Sequence, residues 1–188
     1  MFFTRGETSL VRTIEARVAK LLAWPVDHGE HLQVLHYRPG DRYEPHYDYF
    51  DPAGPGARAV LARGGQRIAT FLMYLREPER GGETTFPDLG LRFPARRGSA
   101  LFFAYDRPDP SSRTLHGGAP VIAGEKWVAT KWLREGYCDF VAQESSLSDA
   151  DYQALKARGS QHAALPYYEG RRRVAATLAQ NGGNVDAL

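Results

Sequence analysis

The sequence predicts a mainly β fold, an antiparallel double sheet of the sandwich, jelly-roll or barrel kind with a helix packed outside it. Three observations predict it. Short β-type runs follow one another at close spacing, turn-rich pieces separate them, and no helical pattern is interleaved between them as a parallel α/β sheet would require. A chain of 188 residues, 43% hydrophobic and 24% charged, is long enough to bury one core without staples.

From Ser9 to Leu22 the apolar residues Leu10, Val11, Ile14, Val18, Leu21 and Leu22 recur at helical spacing. Thr8 or Ser9 is placed to cap this helix and Pro25 to stop it. The period then changes to that of strands, in LQVLHY (32–37), YEPHYDYFDP (43–52), RIATFLMYL (67–75), ETTFP (83–87), LRFP (91–94), SALFFAY (99–105) and KWVATKWL (126–133). The pieces RPGD, DPAGPG, ARGGQ, ERGGE and RPDPSS read as the turns between them. Past Ser145 the texture is helical again. SLSDADYQALKARG offers Ser148 as N-cap, Asp151 at the capping-box position and Gly159 as stop, and GRRRVAATLAQNGG reads as a second short helix. The expected organisation is a β domain over 1–140 and a helical C-terminal extension over 141–188, the latter suited to a homodimer contact.

The near-balanced charge of +2, with dispersed basic residues, excludes an electrostatic nucleic-acid binder; the run Arg171, Arg172, Arg173 reads as a solvated helix face. The one cysteine, Cys138, cannot make an internal disulfide and has no nearby basic cluster to activate it. No stretch approaches the roughly 20 apolar residues of a membrane span, and MFFTRGETSL lacks the apolar centre of a signal peptide. The chain therefore reads as soluble and cytoplasmic.

The chemistry-bearing candidates begin with His46 and Asp48. Two residues apart on a strand, they would share one face, roughly 6.6 Å apart along the backbone, and can converge on one ion. Alone, H-x-D is as well explained by a surface strand. His116 supplies a third donor, with Gly117 and Gly118 leaving room behind it. Two histidines and a carboxylate suit Fe(II), whereas a structural zinc would close its shell with four ligands. Ten residues on, Lys126 shares a strand face with Val128, Thr130 and Trp132, and Trp127, Ala129, Lys131 and Leu133 share the other. If the first face is interior, Lys126 is a buried cation that needs an anion such as a dicarboxylate; by pattern alone Lys131 is its equal.

The segments LQVLHYRPGDRYEPHYDYF, QRIATFLMYL, GGETTFP, GSALFF, TLHGGAPV and GEKWVATKWL, in this order between Glu7 and Leu133, resemble the catalytic domain of prolyl 4-hydroxylases of the collagen-modifying type. These are Fe(II)- and 2-oxoglutarate-dependent dioxygenases. The resemblance implies a double-stranded β-helix, or jelly roll, with an outer N-terminal helix. It implies that His46, Asp48 and His116 hold Fe(II), that Lys126 pairs with the distal carboxylate of 2-oxoglutarate, and that Tyr37 and Thr84 hydrogen-bond the same co-substrate. The lysine, where related branches carry arginine, points to the prolyl type. Tyr43, Arg67 and Trp132 match positions on the peptide side. O2 and ascorbate complete the implied cofactors, and a peptide or protein, proline-rich and extended, is the implied substrate. MFFTRGE resembles an internal stretch of that domain, so the domain is expected to be short at its N-terminus.

Other residues receive plain readings. His28, His31, His36 and His162 lack partners at ligand spacing; Phe71, Tyr74, Phe102 and Phe103 read as packing; Tyr47, Tyr49 and Asp51 fall on the face opposite His46. Two rival functions stand beside proline hydroxylation. One keeps the cofactors but takes another side chain, a free amino acid or a small molecule. The other is a catalytically silent jelly-roll binding module or inactive fragment.

Overall fold

The computed structural model describes residues 1–138. In chain order its elements are β1 (Phe2–Phe3), α1 (Ser9–Leu22), β2 (Leu32–Tyr37), β3 (Tyr43–His46), α2 (Ala57–Leu61) and β4 (Arg67–Arg76). There follow β5 (Arg80–Gly81), β6 (Thr84–Phe86), β7 (Leu91–Phe93), β8 (Ala100–Ala104), β9 (His116–Gly118), β10 (Val121–Ala123) and β11 (Lys126–Arg134). The fold is mainly β with few helices. The predicted C-terminal helices, the homodimer contact assigned to them and His162 lie outside the described residues, as does the boundary at residue 140.

Two antiparallel sheets face each other, a five-stranded one in the order β1-β2-β11-β4-β8 and a four-stranded one in the order β3-β9-β6-β7. A β10-β5 ribbon joins them. The long strand β11 is the axis of the larger sheet, paired with β2 from Lys126 to Thr130 and with β4 along nearly its whole length. Its two faces divide as the alternation predicts. Val128 packs inward with Tyr74 and Ala95, and Ala129 packs outward with Val11, Leu32, Val34 and Phe3.

Helix α1 covers that outer face. The Thr8 hydroxyl accepts the Val11 N–H at 3.1 Å, which satisfies one of the free donors of the first turn. Val11 and Val18 are buried, each contributing about 1.5–3 kcal/mol of hydrophobic stabilisation. Leu10 and Leu21, part of the predicted apolar stripe, instead face solvent at 44% and 70% exposure. The helix ends at Ala23, in the left-handed conformation with φ 50°, before Pro25 is reached.

Three expectations need correction. The strand predicted over 43–52 ends at His46, and Asp48 lies in a bend. The backbone groups that would prolong the ladder are taken by side chains: Arg67 Nη1 donates to the Asp48 carbonyl at 3.1 Å, and the Gln66 amide takes both the N–H and the carbonyl of Phe50. The loop after it contains α2, and the piece ERGGE, read as a turn, contains the strand β5. No helix among the described residues is long and apolar enough to cross a membrane.

Candidate active site

Register brings the first two donors together. His46 and His116 are direct cross-strand partners in the β3–β9 pair, so their rings stand side by side with centroids 4.4 Å apart. That approach needs Gly117: a Cβ there would lie 2.8 Å from the Tyr43 carbonyl oxygen. The bend after β3 then swings Asp48 beneath them, with Oδ1 3.4 Å from His46 Nε2 and Oδ2 3.5 Å from His116 Nε2. The three donor atoms lie within 4.8 Å of one another.

Each ring is oriented from behind. His46 Nδ1 donates to the Glu44 carbonyl and His116 Nδ1 to the Thr114 carbonyl, both at 2.9 Å, which turns both Nε2 atoms toward Asp48. The Thr70 hydroxyl donates to Asp48 Oδ2 at 2.6 Å and lies 3.2 Å from the Tyr105 hydroxyl. Burial by itself would raise the Asp48 carboxyl, but the hydrogen bond with His46 and the charges of His116 and Arg67 outweigh it and hold the group well below the ordinary carboxylate range. Burial keeps His116 low, and on His46 the contacts with Asp48 and the Glu44 carbonyl override burial and raise it. Two imidazole nitrogens and an ionised carboxylate, with no further His, Cys, Asp or Glu in the cluster among the described residues, make the open facial set that suits Fe(II).

A cleft opens beside this cluster, lined by strands of both sheets. Its floor is the inward face of the larger sheet, with Lys126, Val128, Thr130 and Trp132 from β11, Gln33, Leu35 and Tyr37 from β2, and Thr70 and Leu72 from β4. Lys126, directly opposite Tyr37 in register, is 3% exposed, and no carboxylate among the described residues lies within ion-pair distance of it. Burial pulls its ammonium down to about 8, against a weak opposing pull from Glu83. The rings of Tyr37 and Tyr74 flank it at 5.1 and 6.0 Å. The Tyr74 hydroxyl donates to Thr84 Oγ1 at 2.8 Å, which turns the Thr84 proton toward other acceptors. A buried cation in a cleft that Tyr37, Thr84 and Thr130 also line is a receptor for a carboxylate.

The residues singled out in the sequence do not all reach the cleft. His46, Asp48, His116, Lys126, Tyr37, Thr84, Tyr43 and Trp132 line it. Tyr43, 45% exposed, stands at the mouth with its ring edge-on to His46, and the Trp132 indole N–H is buried with no acceptor among the described residues. Arg67 stands behind Asp48, clasped by Glu30. Sequence reasoning missed Thr70, Tyr105 and Glu30, and it read Tyr74 and Phe103 as packing only. Thr70 and Tyr74 sit four apart on β4, the same alternation that placed Lys126, which is the signal that finds them. Phe103 does pack, but against His116 at 4.6 Å. The plain readings of the remaining histidines agree with their positions: His36 stacks on Trp127 at 4.2 Å, His28 stands edge-on to Trp24, and His31 is buried outside the cluster. Tyr47 and Tyr49 stack on each other at 4.8 Å. Burial pushes the Cys138 thiol up to about 12, out of the range of a reactive thiolate.

Comparison with known proteins agrees with this geometry. The family model of the 2OG-Fe(II) oxygenase superfamily matches residues 32–134. The probable prolyl 4-hydroxylases 3 and 10 of Arabidopsis thaliana are 44% and 45% identical, over 72% and 71% of this chain and 53% and 52% of their own. The chain thus spans about half the length of the curated relatives it matches. The crystal structure of the viral collagen prolyl hydroxylase from Paramecium Bursaria Chlorella virus-1, in its 2OG complex, is 35% identical with a TM-score of 0.57, covering 71% of this chain and 77% of that one. A Pseudomonas putida prolyl-4-hydroxylase, 17% identical with a TM-score of 0.50, shares the fold.

Proposed function

The chain belongs to the 2OG-Fe(II) oxygenase superfamily, and on that premise we propose that it hydroxylates proline at the 4-position in a peptide or protein, releasing succinate and CO2. The observation that carries the proposal is one cleft holding both a three-donor metal cluster and a buried lysine that has no carboxylate within ion-pair distance among the described residues. The prolyl substrate is supported by the names of the relatives and by the lysine at the anchor position.

In this reading His46, Asp48 and His116 hold Fe(II), and their donor set fits it: neutral imidazoles fixed by backbone carbonyls and a carboxylate that stays ionised. Lys126 anchors the distal carboxylate of 2-oxoglutarate, and Tyr37 and Thr84 direct hydroxyl groups at it. Bound iron, with 2-oxoglutarate, O2 and ascorbate as its auxiliary reductant, supplies the oxidising power that turns an unactivated C–H bond into C–OH. The protein fixes orientation and keeps water out: Val128, Leu72 and Phe103 wall the cleft with apolar surface. Tyr43 and Trp132 at the cleft form the peptide side, to which the resemblance also assigned Arg67. The β domain, assigned from the sequence to 1–140, carries this chemistry.

The test is succinate formation from 2-oxoglutarate in the presence of Fe(II), together with a mass gain of about 16 Da on proline-rich peptides. His46→Ala and Asp48→Ala are expected to abolish both signals. Full turnover in either variant would remove the metal assignment, and succinate without any proline adduct across a broad peptide panel would move the substrate to another class.

A further inference from the structure

Behind Asp48 lies a buried ionic cluster that the cleft itself does not use. Glu30, 8% exposed, receives Arg67 in a two-pronged pair, Nε to Oε1 at 2.8 Å and Nη2 to Oε2 at 2.7 Å, and Arg134 Nη1 also reaches its Oε1 at 3.0 Å. Both guanidinium carbons lie over the Phe50 ring, 4.6 and 4.8 Å from its centroid. Arg67 then sends Nη1 forward to the Asp48 carbonyl, and Arg134 sends Nη2 backward to the carbonyls of Val60 and Gly65 at the end of the same excursion of chain. The opposite charges of both arginines outweigh burial and keep Glu30 ionised.

Asp48 needs such a brace. It is the one member of the triad that lies outside a strand, so no ladder of backbone hydrogen bonds fixes its position. Its carbonyl is held by Arg67, and three of the five N–H groups of that guanidinium are committed to Glu30 and Asp48. The face of Arg67 toward the cleft is covered by Trp132, 4.1 Å from ring centroid to the guanidinium carbon.

We infer that Glu30 and Arg67 are positioning residues for the metal cluster: they set the place of Asp48 through its backbone, and Arg67 is not primarily a peptide contact. The inference rests on the proposed metal-dependent reading of the site. Its consequence is that breaking the Glu30–Arg67 pair lowers metal affinity in the absence of any substrate.

Co(II) titration of the full chain tests this, because its visible d–d bands report ligand geometry without turnover. Glu30→Gln, and Arg67→Lys, which keeps the charge but cannot span both partners, are each expected to weaken Co(II) binding by about 10–100-fold and to alter the bands. The control is Glu15→Gln, which breaks the buried pair with Lys131 on the outer side of the same sheet. It is expected to lower the Tm with Co(II) affinity and bands unchanged. Wild-type Co(II) affinity in folded Glu30→Gln and Arg67→Lys, above all with a raised KM for peptide, would overturn the inference and return Arg67 to the peptide side. Should Glu30→Gln not fold, Arg67→Lys decides alone. Absence of Co(II) binding in the wild-type chain, or equal binding in His46→Ala, would overturn the metal reading itself and the inference with it.

Discussion

Lys126 and Lys131 stand on one strand, on opposite faces of one sheet, and each is 3% exposed. On the outer face Lys131 Nζ meets Glu15 Oε1 of helix α1 at 2.5 Å. On the inner face Lys126 meets aromatic rings and no carboxylate within ion-pair distance among the described residues. Burying a charge costs several kcal/mol unless a counter-charge offsets it. Lys131 is offset within the fold, so it ties a helix to a sheet. Lys126 has no such partner among the described residues and only a weak pull from Glu83, so it is a buried cation that a ligand dianion can neutralise. Burial does not separate structure from site here; the location of the counter-charge does.

The largest effect that can break this contrast is on the outer face. Glu15→Leu leaves Lys131 buried and unopposed and is expected to cost about 3–5 kcal/mol of stability, read by chemical denaturation, with 2-oxoglutarate affinity in the folded fraction unchanged. Next is Lys126→Met, which removes a charge that was never offset. It is expected to leave the stability of the ligand-free protein equal or higher while weakening 2-oxoglutarate by roughly 100-fold in calorimetry, the scale of one lost charge-assisted contact. Equal 2-oxoglutarate binding in that variant would dissolve the contrast.

The smallest effect sharpens it through pH. Lys126 falls from 10.5 to about 8 in the fold. Between those values the unfolded chain binds the extra proton, so ligand-free stability rises with pH across that window and the full penalty is present below it. Loss of the same proton weakens an anion's hold. Above about pH 8, 2-oxoglutarate affinity is expected to fall by up to about tenfold per pH unit, and Lys126→Met should flatten the profile.

Much of this was legible beforehand. Helix α1 and the strands β2, β4, β8 and β11 are carried by local periodicity, and strand alternation sorted the faces of β11 correctly. The two-residue strands β1 and β5 were not legible, because pairing with a distant segment, not composition, makes them strands. Gly117 and Gly118 read only as room behind His116, and it is Gly117 that allows β9 to approach Tyr43 so closely. At the site, the triad and Lys126 follow from short motifs and from a family resemblance that supplied their roles. Thr70, Tyr105 and Glu30 depend on contacts 22 to 104 residues away in sequence, which no local pattern encodes. The break in strand β3 escaped for a related reason: side chains of Gln66 and Arg67 replace its ladder.

Strand β3 is the edge of the smaller sheet, and Pro45 sits in it, next to His46 at the mouth of the cleft. A proline has no N–H to offer, so this rim cannot template an added strand. An extended peptide arriving there gains little from its backbone, and a proline-rich one has few N–H groups to offer in return. Selection at this rim therefore falls to side-chain shape, with the rings of Tyr43 and Trp132 as the gauge.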